Sequence, residues 1–513
     1  MEIDLAQLDS SAAGNDLLRA PICIIGVGIA GLTLAHKLVT LGHEVLLLEF
    51  GGRTPETFEP VQQAGHRHPG TSEARPRALG GTSLTWGGQL LPFPPVNSSW
   101  PISARDLEPF TTEAENLLAV DSLPYSATDF FKQAHQPSPS LLQQLPEIEA
   151  CLSKFTPFSH RSLARTLGHK LRTNSKARIV LNANVTELVL EESRGCIAAV
   201  LVRTPSGRML RISAEQVVVA AGTIETVRLL LASRSAAPEG IGNQHDQLGR
   251  NFHDHLTITA ATLHEPARTE LLAAARPWVH GTTLHSLKLS ATPEFQRQLS
   301  LTPVLAHLTI DEPETSGIGA LRNLLRARQQ RNLSANLWSA LPQLPRALAD
   351  AARLTLSART QHRRYVSPSA LVELRLNAAQ RAPSGSRITL SPDLKAVLAW
   401  QIDPVELATL RNFAQYLRSR LTIDGFSWNP TLFGPDLSAP MPDLDDARHA
   451  MGGACMGTDA RTSVVDPDLR VHGIQNLFIA SAAVFPDGSP QLPTLPLMAL
   501  TLRLAEYLHN LTC

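Results

Sequence analysis

His449 opens the run His449-Ala-Met-Gly452-Gly453, in which an imidazole is followed within three residues by a pair of glycines. An unperturbed imidazole has a pKa near ~6.5, so it can accept a proton at neutral pH and release it later, as a general base must. Further along, Leu492-Pro493-Thr494-Leu495 reads as a helix start, and Leu497, Leu500, Leu504, Tyr507 and Leu508 fall on one face of the helix expected after Pro496. Near the other end, Gly26-Val-Gly28-Ile-Ala-Gly31 follows the apolar run Ile22 to Ile25 and leads into Leu32, Leu34, Ala35, Leu38 and Val39 at helical spacing. A second apolar run, Val45 to Leu48, ends in Glu49, with seventeen residues between it and Gly31. This is a strand, tight turn and helix followed by an acid. Gly26 permits the turn, Gly28 lets a pyrophosphate approach the backbone, Gly31 allows close helix packing, and Glu49 can accept hydrogen bonds from ribose hydroxyls. An acid at the ribose disfavours a 2′-phosphate, which leaves FAD or NAD ahead of NADP.

These groups need a frame to hold them. With 513 residues, 43% of them apolar, the chain exceeds what one compact core usually supports, and two lobes are expected. Lys plus Arg and Asp plus Glu both total 46, so no excess charge draws the chain to nucleic acid or anionic lipid, and a neutral small-molecule partner is expected. Five scattered cysteines without a C-x-x-C pair predict neither disulfides nor a metal site. The opening Met-Glu-Ile-Asp lacks a secretory pattern, and no apolar run approaches the roughly 18 residues of a membrane span, so a cytoplasmic protein without a transmembrane segment is expected. Alternating residues over 178–220 predict a small β meander that returns to a parallel sheet. Strands are predicted near 258–263, 283–290, 303–310 and 371–377 and at Ser386 to Leu390, forming a mostly antiparallel substrate lobe. Leu321 to Arg364 is rich in Arg and Leu at helical spacing and reads most simply as a solvated face over an apolar stripe; a lid, a membrane-resting helix or a partner surface are the alternatives.

Five blocks, in order, resemble the glucose-methanol-choline (GMC) family of flavin oxidoreductases: the glycine fingerprint, Gly80-Gly81-Thr82-Ser83-Leu84-Thr85-Trp86-Gly87-Gly88, Gln216 to Leu231 with Ala221, Leu248-Gly-Arg-Asn-Phe-His253-Asp254-His255, and the segment from His449 onward. The resemblance implies an α/β fold, with an FAD-binding Rossmann-like domain (20–93, 165–257 and 441–513) and an inserted, mostly antiparallel substrate domain (94–164 and 258–440). It implies FAD contacts at Gly81, Thr82 and Trp86, at Val185 beside the adenine, and at Ala221, Ser481, Pro493 and Thr494. Thr85 stands where some sugar-oxidising members tether the flavin through histidine, so FAD is expected without a covalent link.

The resemblance further implies that His449 faces the flavin and takes the proton of an alcohol. The start of the last helix would then stabilise negative charge on the reduced ring. Where the family normally has a second His or Asn, this chain has Leu492, which can neither donate nor accept a proton. Three outcomes follow: His449 acts alone, another polar side chain (His253, His255, His285 or His307) takes the place, or alcohol oxidation is lost. For His253 and His255, structural roles beside a turn are expected. Oxidation of a small alcohol, sugar or natural-product intermediate is the leading expectation, with electron acceptor unspecified. A lyase keeping FAD as a structural element, as in the family's hydroxynitrile lyases, and a flavin-bound interaction protein are the alternatives.

Overall fold

The Arg19–Ile25 strand carries four consecutive buried residues at its end, as a central parallel strand covered on both faces should. It pairs in parallel with Val45–Leu48 on one side and Met209–Val219 on the other. Ala177–Leu181 and Glu2–Asp4 extend the sheet beyond Val45–Leu48, and Leu477–Ile479 adds a parallel strand beside Met209–Val219. Asn184–Glu191 and Cys196–Arg203 complete it as an antiparallel meander, with Gly195 turning the chain at φ 58°. The computed structural model describes residues 1–7, 19–57, 60–92, 99–330, 344–381, 385–436 and 439–512.

Helices Ile29–Thr40 and Thr494–Thr512 pack together against this sheet, joined at their surface by Lys37 bridging Glu113 and Glu506. Glu113 belongs to Ala104–Leu117, a helix with a capping box between Ser103 and Asp106. The final helix starts at Thr494, earlier than the position after Pro496, because Leu497 N–H already bonds the Pro493 carbonyl.

The second sheet is antiparallel. Its core order is Phe426–Trp428, His255–Leu263, Leu371–Ala379, Val304–Asp311, Thr283–Ala291, Ile148–Phe155 and Gln89–Leu90. Leu287, Leu289 and Leu374 lie with Leu417 and Leu421 around a small apolar cavity, so one face of the sheet rests on helix Pro404–Arg420 and its C-terminal residue. The expected strand at Ser386 to Leu390 is real but belongs elsewhere. Arg387–Leu390 pairs with Ala396–Ala399, which joins Gln62–Gln63 in a separate three-stranded sheet. Ile388 N–H bonds the Gly249 carbonyl, which draws that strand toward the nucleotide-binding lobe.

The Arg-rich stretch forms helices Gly317–Gln330 and Leu344–Gln361, and Pro342 lies outside the described residues. It is more than a solvated face, because Gln329 Nε2 donates to the Ser83 carbonyl at 3.0 Å and so ties the first helix to the Gly80–Gly88 loop. Among the described residues, no helix is long and apolar enough to cross a membrane. The described cysteines, Cys23, Cys151, Cys196 and Cys455, are free.

Candidate active site

A cavity of about 600 Å³ runs between the ends of the parallel strands and the antiparallel lobe. Gly26, Gly28, Glu49, Gly81, Thr82, Trp86, Val185, Ala221, His449, Ser481, Leu492, Pro493 and Thr494 all line it. Gly31 does not. It sits inside the helix, where a Cβ would come 2.0 Å from the Gly26 carbonyl oxygen. Gly26 has φ +100° and a Cβ there would meet the Ala220 carbonyl oxygen at 2.5 Å, so only glycine lets these two segments touch.

Several features of the wall suit a dinucleotide. A Cβ at Gly28 would meet nothing nearer than Gly81 Cα at 3.9 Å, so both backbones leave a bare cradle. Gly28 caps the Ile29–Thr40 helix without a side-chain bond to the first-turn N–H groups, and Ile29 and Ala30 line the cavity. Such a helix start favours phosphate. Glu49 accepts from Val27 N–H (3.0 Å) and Gly51 N–H (2.9 Å), one bond per oxygen, which leaves a lone pair on each for a ribose. Burial raises the Glu49 pKa, and the two N–H groups oppose the rise. The residues present therefore fit FAD.

His449 is placed by main-chain zippering. Residues 447–453 run beside 249–255 through Ala447 N–H to the His255 carbonyl, paired bonds between His253 and Met451, and Gly249 N–H to the Gly453 carbonyl. A Cβ at Gly452, where φ is +74°, would fall 2.1 Å from the Asn251 carbonyl oxygen. The glycines after His449 are thus the condition for the zipper.

His255 lies directly behind His449, with its Nε2 2.7 Å from His449 Nδ1. The hydrogen-bonded structural role expected of His255 is thus exercised on the His449 ring itself. His253 keeps such a role, with Nδ1 bonded to the Asn251 carbonyl at 2.8 Å. His285 instead bonds Asp121 on the other face of the antiparallel sheet. Leu492 lines the cavity, whereas His255 is not part of its lining and supports His449 from behind.

The hydrogen-bond chain sets the proton positions. His255 Nδ1 is 2.8 Å from the Ser489 carbonyl, which can only accept, so Nδ1 carries the hydrogen. Burial, with further effects from nearby charges, lowers the His255 pKa and keeps the ring neutral, so its Nε2 accepts. His449 Nδ1 must then be the donor. Its Nε2 is left with a lone pair and has no hydrogen-bond partner among the described residues. Burial, then the His255 ring, lowers the His449 pKa to about 3. The arrangement is a neutral base on the cavity wall.

Asp254 steadies the pair. One of its oxygens accepts from His255 N–H (2.7 Å); the other accepts from His449 N–H (2.8 Å) and lies 3.2 Å from His68 Nε2. His68 is fully buried, and its Nδ1 faces Asp446 at 3.3 Å. Burial disfavours a charged His68, but the two carboxylates outweigh it and raise its pKa; Asp254 is correspondingly lowered despite its own burial. We take His68 and Asp254 as an imidazolium–carboxylate pair. Asp254, His255 and His449, and likewise His68, Asp254 and Asp446, are near enough to one another to hold a cation. His68 offered no signal in the sequence, since its partners lie far along the chain. Asp254→Asn removes the counter-charge and is expected to cost about 3 kcal/mol, read by denaturant unfolding, together with a slower flavin reduction. Unchanged stability and rate would rule out the supporting role.

The fold and cavity define a nucleotide-binding enzyme with an antiparallel lobe laid against a histidine-bearing site. Sequence models of the GMC oxidoreductase family match residues 156–257 and 383–501. The fructose dehydrogenase large subunit of Gluconobacter japonicus is 25% identical, over 97% of this chain and 99% of that one. The 6'''-hydroxyparomomycin C oxidase of Streptomyces lividus is 27% identical, over 45% of this chain and 53% of that one. Among solved structures, pyridoxine 4-oxidase from Mesorbium loti has a TM-score of 0.58 at 15% identity, covering 96% of this chain and 99% of that one. A fungal aryl-alcohol oxidase gives 0.57 at 15% identity, covering 96% and 99%. This chain belongs to the GMC oxidoreductase family. It is an FAD-using oxidoreductase of CH–OH or related donors.

Proposed function

We propose that the protein oxidises a carbinol of a small polyhydroxy or sugar-like alcohol to the carbonyl, with His449 as the single base and FAD held without a covalent bond. The observation that carries the reading is the ordered chain from the Ser489 carbonyl through His255 to His449, which leaves an unprotonated Nε2 on the cavity wall. Bound FAD supplies the acceptor for the carbinol hydride. The hydroxyl proton passes to His449 Nε2 while the carbon–oxygen double bond forms, and the resulting imidazolium is adjacent to the Asp254 carboxylate. Leu492 gives the substrate an apolar wall. The start of the Thr494–Thr512 helix, which lines the cavity, offers positive potential to charge developing there.

The names of the fructose and hydroxyparomomycin enzymes support a sugar-like substrate. Support for an untethered flavin comes from the wall. Its ring-nitrogen groups besides Trp86 are His68, held between Asp254 and Asp446, and His449, which the reaction needs. We also propose a division into a flavin domain (20–93, 165–257 and 441–513) and a substrate domain (94–164 and 258–440), supported by the parallel strands Val45–Leu48, Met209–Val219 and Leu477–Ile479 in the first and the antiparallel strands Thr283–Ala291, Val304–Asp311 and Leu371–Ala379 in the second.

Anaerobic mixing of the yellow protein with a panel of sugars, polyols and simple alcohols tests the reading. Bleaching of the flavin by at least one of them is expected. Because neutral His449 is the working form and its pKa is near 3, the reduction rate is expected to show no loss on the acid side down to about pH 4. A protein that stays oxidised across the panel, or loses rate with a midpoint near 6.5, contradicts it.

A further inference from the structure

Among the described residues, Gln89 is the single strand residue of the antiparallel sheet in the lining of the cavity that holds His449. Leu90, next along the strand, is fully buried, as alternation across the sheet requires. His307 lines the small apolar cavity with Leu287 and Leu289 instead. The loop before Gln89 sets its position. Gly81 belongs to the phosphate cradle, and the chain runs on through Trp86, Gly87 and Gly88, all of which line the cavity, into the Gln89–Leu90 strand. Trp86 Nε1 donates to the Arg161 carbonyl at 2.8 Å, Thr156 N–H bonds the Gly88 carbonyl at 2.7 Å, and the strand pairs with Ile148–Phe155. The loop is thus held on both sides of Gly87, where a Cβ would meet nothing within 4 Å and open space begins.

The Gln89 amide can be turned only one way. Ser153 Oγ is 3.1 Å from the Ser286 carbonyl, which accepts and cannot donate, so the hydroxyl hydrogen points there. The same Oγ is 2.6 Å from the Gln89 amide and must accept from it, so the group that faces it is Nε2. Ser153 is fully buried, and this order is protected from solvent. Oε1 is left over, on a half-buried residue of the cavity wall, with no hydrogen-bond partner among the described residues. Neighbouring polar side chains of the wall are engaged: Glu73 holds Arg448, Glu225 holds both Arg75 and Arg228, and Thr223 donates to the Ala450 carbonyl.

Resting on the oxidation proposed above, we propose that Gln89 Oε1 accepts a hydrogen bond from a second hydroxyl of the substrate while the reacting carbinol meets His449, so that the site selects polyols over alcohols with one hydroxyl. A substrate without the second hydroxyl fills the cavity and leaves this acceptor unpaired, which is how a site built to bond a hydroxyl rejects the analogue that lacks it. Because Oε1 only accepts, the second hydroxyl must donate. A fluorine in its place, which has no hydrogen to give, does not substitute for it.

The test is anaerobic flavin reduction by the sugar or polyol that bleaches the flavin fastest, beside its monodeoxy analogues and the corresponding deoxyfluoro compounds. In the wild type one monodeoxy analogue is expected to fall about 10- to 100-fold in kcat/KM, and its deoxyfluoro counterpart equally far. Gln89→Leu, which cannot accept, is expected to bring that analogue within about threefold of its parent with flavin content unchanged. Ser153→Ala, which frees the amide to turn, is expected to cut the same preference at least about threefold, and it decides if the Leu variant loses FAD. Equal use of the parent and every monodeoxy analogue overturns the assignment. So does a deoxyfluoro compound used as well as the parent, a Leu variant that keeps the wild-type preference, or, where that variant loses FAD, a Ser153→Ala variant that keeps it. Each of these results leaves the oxidation standing; no reduction by any compound sinks both.

Discussion

Replacing His449 by alanine is expected to slow flavin reduction by about 10²- to 10⁴-fold while FAD stays bound. The imidazole contributes its Nε2 lone pair to the cavity, and alanine removes it. The main-chain bond from residue 449 to Asp254 does not depend on the side chain, so the zipper that shapes the wall survives. The flavin contacts expected at Gly28, Glu49 and Gly81 lie on other segments and are untouched. Anaerobic stopped-flow reduction measures the effect, and added imidazole should restore part of the rate by occupying the space vacated. Reduction within threefold of wild type would show that the hydroxyl proton leaves by another route.

Gly31→Ala should be nearly as damaging, through the cofactor. Alanine is the better helix former by about 1 kcal/mol, so on propensity alone the change would stabilise. Its Cβ, however, would be placed 2.0 Å from the Gly26 carbonyl oxygen and 3.1 Å from the carbonyl carbon, and backbone cannot swing aside as a side-chain end can. The helix must move off the strand, at about 2–4 kcal/mol, and its N-terminus moves with it. We expect a protein purified with a low ratio of flavin to polypeptide and a lowered melting temperature. Full flavin content with unchanged melting would mean that the turn relaxes more freely than its packing indicates.

The nucleotide end was legible because its requirements are local. Gly26, Gly28, Gly31 and Glu49 fall within one strand–helix–strand unit, and their spacing states the geometry. The His449–His255 pair is different: it joins residues 194 apart, so no local spacing announces it. A signal did exist. Gly452 follows His449 by three residues, and a Cβ there would meet the Asn251 carbonyl oxygen at 2.1 Å, as expected where the two histidine segments run side by side. Helix Pro404–Arg420 was also missed, although Asp403, Pro404 and Glu406 spell its start. The placement of Arg387–Leu390 had no local signal at all, since alternation predicts a strand without naming its sheet.

The carbonyl of Ser489 has a consequence for how this site can diverge. Whatever residue occupies position 489, short of a change that bends the main chain, the oxygen facing His255 remains, so no single-codon replacement of that side chain erases the orientation of the imidazole pair. Residues that meet the substrate are therefore free to drift toward new molecules, while the sense in which the proton leaves them is inherited unchanged.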